Sequence, residues 1–148
     1  MLDGQIKVNS LLDDGSEVNV MPRRTFDNLD FPIDTSIQWD INSFGSKSLP
    51  EGCVGVCHDL PVDIGGVEVK VLVFVVEESG HDLLLGRPWG KMARAVFSNE
   101  DNRNYVCRIK SPDGRRIVQF VAARADHPRN RSYVREVDGS FPVEHLKV

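Results

Sequence analysis

Hydrophobic and polar positions alternate along most of this chain, and the period is that of β-strands far more often than that of helices. Across residues 5–12, Ile6, Val8 and Ser10 alternate with Lys7, Asn9 and Leu11, the pattern of a strand with one buried face. Gly4 reads as a hairpin turn whose first strand is all but missing, since only Met1, Leu2 and Asp3 precede it, and the chain is expected to be part of something longer. A second short strand is expected over residues 17–21. Pro22 then fits the first turn of a helix reaching residue 29, where its missing amide hydrogen is not needed. Residues 37–41 alternate again and lead into a polar, glycine-bearing stretch, 42–52, that suits a mobile hairpin or loop.

The clearest pattern lies further on. Val54, Val56, Leu60, Val62 and Ile64 form one strand, Gly65-Gly66 is a two-residue hairpin turn, and residues 67–76 make the return strand. Asp82-Leu83-Leu84-Leu85 is a short buried strand that stops at Gly86, and Pro88 opens a helix of one or two turns through Met92. Residues 105–110 and 115–122 flank the Ser111-Pro112-Asp113-Gly114 turn and make another hairpin. Past Ala125 the pattern dissolves into linker or tail.

Composition narrows the class without identifying it. The length of 148 residues suits one domain with a real core. No apolar stretch approaches the length of a membrane span, and Asp3 and Gln5 interrupt any leader-like run, so an intracellular, cytoplasmic chain is expected. Three cysteines, Cys53, Cys57 and Cys107, are an odd set that fits a reducing compartment. The run Cys53-x-x-x-Cys57-His58 invites a zinc reading, but it lacks a second ligand pair and lies in an expected strand, so core or strand-edge thiols are the better account and no metal is expected. The net charge of -4 conceals a basic segment that includes Arg108, Lys110, Arg115, Arg116, Arg124, Arg129 and Arg131. Without interleaved aromatics or a binding motif it reads as solvated surface, and nucleic acid is a disfavoured partner.

Candidate chemistry centres on Leu11-Leu12-Asp13-Asp14-Gly15-Ser16-Glu17, where an apolar run delivers a carboxylate to a turn. An ordinary hairpin end has the same signature, because Asp tolerates turn geometry and Gly supplies positive φ. A second signal, Leu84-Leu85-Gly86-Arg87-Pro88-Trp89, lies downstream of a glycine-bearing loop and a long hairpin. In that order the two signals resemble the retroviral-type aspartic proteases (retropepsins), most closely those of gypsy-type long-terminal-repeat retrotransposon polyproteins of the fungal kind.

The resemblance implies a mainly β fold: a closed β-barrel acid-protease half with one or two short helices, followed by a C-terminal β-hairpin extension. Its expected divisions are 1–95 for the protease domain, 96–125 for the extension and 126–148 for linker or tail. Only one acidic turn of this type occurs, and no internal repeat is evident, so a two-fold homodimer is implied in which each subunit contributes Asp13 as its catalytic residue. Gly15 and Ser16 would turn the chain so that Asp13 faces its twin, and Glu17 with Arg87 would form a supporting ion pair. Residues 42–52, centred on Phe44, Gly45 and Ser46, would be the flap, closing over an extended polypeptide bound as an added strand. No cofactor is implied, and the particle of a retroelement is an alternative location to open cytoplasm.

Asp14 departs from the family pattern, which has Thr or Ser there to lock the two turns together across the dimer axis. Two Asp14 carboxylates brought together would repel, raising their apparent pKa values and favouring the dimer in acid. The implied activity is therefore that of an aspartic endopeptidase. The alternative is a catalytically impaired protease-derived module for dimerisation or peptide binding.

Overall fold

The computed structural model describes residues 1–36, 49–101 and 104–123. In chain order these residues form β1 (Ser10–Leu12), β2 (Val20–Pro22), α1 (Arg23–Phe26), β3 (Cys53–Ile64), β4 (Val67–Val76), β5 (Leu83–Leu85), α2 (Arg87–Met92), β6 (Val96–Asn99), β7 (Tyr105–Lys110) and β8 (Ile117–Ala123). The fold is mainly β. Among the described residues no helix is long and apolar enough to cross a membrane.

Two sheets result. The larger has the order β1-β5-β2-β4-β3, and the smaller the order β6-β7-β8. β5 is the hinge of the larger sheet, since it runs parallel to β1, with Ser10 opposite Leu83 and Leu12 opposite Leu85, and antiparallel to β2, with Val20 opposite Leu84. β2 in turn lies parallel to β4. Strands far apart in sequence are thereby interleaved around the acidic turn.

The β3–β4 hairpin follows its sequence pattern closely. Gly65 and Gly66 have φ of 63° and 89°, the left-handed pair that a two-residue hairpin turn requires. Inward valines and leucines such as Leu60, Val62, Val69 and Val73 are almost wholly buried. A register shift between Cys57 and Leu60 leaves His58 and Asp59 exposed, with Asp59 at φ 53°. This bulge re-aims His58 so that its Nε2 lies 2.9 Å from Asp34 Oδ2. Asp34 also accepts a hydrogen bond from the Ser36 hydroxyl at 2.6 Å, and these contacts, that of Ser36 foremost, lower its pKa to about 2. Backbone bonds between Asp34 and Val56 fix the same spot.

The apolar core is continuous between the sheets. Leu2, Leu12, Met21, Val73, Leu85 and Trp89 belong to the same buried cluster as Cys107 and Ile109 of β7, and Val118 and Phe120 of β8 pack against it. The smaller sheet is tied on through the Lys110 amide, which donates to the Ala93 carbonyl at 2.8 Å. Burial pushes the thiols of Cys57 and Cys107 up to about 11 and about 12, and also raises Cys53. Those shifts suit packed thiols that stay protonated.

Several local expectations are refined. The strand expected over residues 5–12 is confined to Ser10–Leu12, because its partner β5 is itself only three residues long. Upstream, Leu2 bridges both Ile6 and Val62 across the turn at Asp3 and Gly4, so the short segment before Gly4 is paired after all. Pro22 closes β2 in an extended conformation, and the helix after it ends at Phe26, with turns carrying the chain to Leu29. β6 goes beyond what the sequence pattern predicts; it pairs antiparallel with β7. The alternating stretch 37–41, most of the flap region including Phe44, Gly45 and Ser46, and the tail 126–148 lie outside the described residues.

Candidate active site

Leu12 is buried at the end of β1, and the backbone pairing with β5 extends one residue further, the Asp13 amide donating to the Leu85 carbonyl at 2.9 Å. Asp13 therefore leaves the sheet at the point where β5 also stops. The chain reverses at once: the Ser16 amide donates to the Asp13 carbonyl at 3.1 Å, and the Gly15 amide donates to Asp13 Oδ1 at 3.0 Å. The second of these turns the carboxylate into part of its own loop. Glycine suits position 15 because an added Cβ would lie only 3.2 Å from Asp13 Oδ1. Asp13 is half-buried, and among the described residues its Oδ2 has no hydrogen-bond partner. One oxygen is held by the turn, and among the described residues the other is not bonded.

Ser16 stabilises the far side of the turn. Its hydroxyl donates to the Val18 carbonyl at 2.8 Å, and its own carbonyl accepts the Arg87 amide at 2.8 Å. This last bond sets the start of α2 against the turn, so the segments bearing Glu17 and Arg87 are neighbours. Both residues are exposed at this junction.

Gly86, between β5 and α2, is the tightest position in the site. A Cβ there would come within 2.3 Å of the Val18 carbonyl oxygen and 2.6 Å of the Ser16 carbonyl oxygen, so no other residue fits without moving backbone. Leu85 is buried beside it, while Leu84 is half-buried opposite Leu11 and Val20. The Leu-Leu-Gly strand end is thus brought directly against Asp13 and Ser16.

One residue that carries this arrangement escapes the sequence reading. Asn19 is 1% exposed, and its side chain accepts the Gly86 amide at 2.8 Å while donating to the Leu72 carbonyl at 3.0 Å. Its backbone carbonyl accepts the Phe74 amide at 2.9 Å. Asn19 therefore joins β4 to the strand end of β5, a few residues past the acidic turn. Its signal in the sequence is parity: period two places it on the same face as buried Met21, where a polar side chain needs internal partners.

Asp14 is exposed on the rim of an open cleft of about 730 Å³. Arg87 and Lys91 of α2 and Arg94 of the following turn line the same cleft, with Phe97 and Tyr105 forming a wall; their rings stack with centroids 5.1 Å apart. Among the described residues no group of His, Cys, Asp and Glu is arranged to hold a metal ion.

No family model and no curated protein matches the sequence. Among solved structures, the fold is similar to the retroviral protease-like domain of Ddi1 from Leishmania major, with a TM-score of 0.59 and 18% sequence identity over 82% of this chain and 90% of that one. The likeness is one of fold: this chain has a retropepsin-like fold.

Proposed function

We propose that this chain is an aspartic endopeptidase of retropepsin type, acting as a two-fold homodimer on an extended segment of a polyprotein, with its nearest kin among gypsy-type retrotransposon proteases. The observation that carries this reading is the state of Asp13, presented at a strand end with Oδ1 fixed by the Gly15 amide and Oδ2 without a hydrogen-bond partner among the described residues. A single carboxylate is half of what peptide hydrolysis needs. Two copies of Asp13 held close cannot both ionise, so the pair shares a proton and titrates as a unit. The ionised member takes a proton from a water held between them, the water attacks the peptide carbonyl, and the protonated member stabilises the developing oxyanion. Proton transfer to the leaving nitrogen then completes cleavage.

The other parts serve that chemistry. A Glu17–Arg87 ion pair would brace the turn against α2, consistent with the bond from the Arg87 amide to Ser16. Residues 42–52 would close over the substrate and exclude water, and the substrate backbone would add as a strand. The chain would work in the cytoplasm or within a retroelement particle.

Asp14 supports a second reading, a dimerisation or peptide-binding module that keeps the fold without the activity, because a carboxylate stands where a hydroxyl would lock the dimer. Incubating the protein at several pH values with a peptide library, beside Asp13→Asn, separates the two. Cleavage that falls by at least about a thousandfold in Asp13→Asn is the expected result. A well-formed dimer that cleaves nothing at any pH establishes the binding module.

A further inference from the structure

We infer that Asp14 is a cross-subunit contact, its carboxylate docking into the cationic cleft of a second copy of this chain. The inference rests on the homodimer reading above and specifies how that dimer tolerates Asp14. Among the described residues Asp14 makes no hydrogen bond or ion pair within its own chain, although it shares a cleft with Arg87, Lys91 and Arg94. Arg94 is presented from a backbone in the left-handed region, φ 52°, between α2 and β6. Lys91 and Arg94 are exposed and, among the described residues, have no carboxylate partner. The small residues Gly90 and Ala95 also line the cleft and leave depth for an entering side chain.

A second copy is the occupant that the charges select. One patch carries a carboxylate and, beside it, the cations that complement a carboxylate. In a two-fold contact residue i meets j while j meets i, so such a patch is complementary to itself. Each Asp14 would meet the Lys91 and Arg94 of the partner, twice over. Because Asp14 adjoins Asp13, the same axis that pairs the catalytic carboxylates brings Asp14 to the interface.

Cross-pairing predicts a response opposite to that of two repelling Asp14 side chains. Salt screens an attraction, so the dimer should weaken as salt rises, whereas screening a repulsion would tighten it. The test is a charge exchange in the full chain, with dimer affinity measured by analytical ultracentrifugation. Asp14→Arg alone and the double variant Lys91→Glu with Arg94→Glu alone should each weaken the dimer by about tenfold or more. An equimolar mixture of the two should form a heterodimer within a few-fold of the original affinity, since every contact regains its opposite charge. A mixture no tighter than either variant, or variants as tight as the parent, overturns the inference. Should either variant fail to fold by circular dichroism, Asp14→Asn takes its place: the parent dimer should lose affinity with salt and Asp14→Asn should lose that dependence, and an unchanged salt slope overturns the inference equally. A parent chain that stays monomeric at every concentration removes the homodimer itself, a result distinct from a dimer indifferent to these charges.

Discussion

The acidic turn and the β3–β4 hairpin are neighbours held by different physics. The hairpin rests on many interchangeable contacts, with Leu60, Val62, Val69, Val71 and Val73 each burying apolar surface and none irreplaceable in shape. The turn rests on a few directed bonds: Gly15 to Asp13, Arg87 to Ser16, and Asn19 to both Gly86 and Leu72. Distributed burial tolerates substitution that conserves volume, whereas directed bonds between backbone groups tolerate almost none. A site that must hold a carboxylate in one orientation is built the second way and is carried by a scaffold built the first way.

Mutations that sort by this difference would sharpen or break it. Gly86→Ala should have the largest effect, about 3 kcal/mol or more in chemical denaturation, because the new methyl meets the Val18 carbonyl, which is backbone and cannot swing aside. Asn19→Leu comes next at about 2 to 3 kcal/mol, since it leaves the Gly86 amide and the Leu72 carbonyl without their partner. In contrast, Leu60→Met, at an equally buried place in the hairpin, should cost under about 1.5 kcal/mol. If Leu60→Met costs as much as Asn19→Leu, the contrast between the two regions fails.

The smallest effect concerns the exposed contact beside the hairpin bulge. With its pKa lowered to about 2 from 3.8, ionised Asp34 contributes stability that is fully present above 3.8 and is lost as pH falls through about 2. A carboxyl titration followed by NMR should show the midpoint rising in Ser36→Ala, and rising less in His58→Ala, because the Ser36 hydroxyl is the larger cause. Equal midpoints in all three proteins would contradict the geometry.

Legibility in the sequence follows the same division. The hairpin announces itself through alternation and Gly65-Gly66, and the Leu83–Leu85 strand with its stop at Gly86 is equally plain, because burial and φ are properties of single residues. Asp13, Gly15, Ser16 and Gly86 stand out as a pattern, and the fold brings them into contact. Asn19 does not stand out, since its importance lies in meeting Leu72 and Gly86, and nothing local in Glu17-Val18-Asn19-Val20 specifies those partners. β1 is shorter than its alternation suggests for a related reason: ladder length is set by the neighbouring strand. β6 leaves no mark in the pattern because only one of its side chains, Phe97, is more than marginally covered, so the strand exists through its pairing with β7 rather than through a buried face.

The tip of the long hairpin has a practical consequence. A Cβ at Gly65 would fall 2.8 Å from Val118, and one at Gly66 would fall 2.7 Å from the Arg116 guanidinium, so the tip is seated directly on β8. Together with Cys107 and Ile109 in the shared core, that seat packs the last three described strands onto the same core as the larger sheet. A fragment ended at residue 95 would uncover the core side chains against which Cys107, Ile109, Val118 and Phe120 now pack, and should be less soluble than the longer chain.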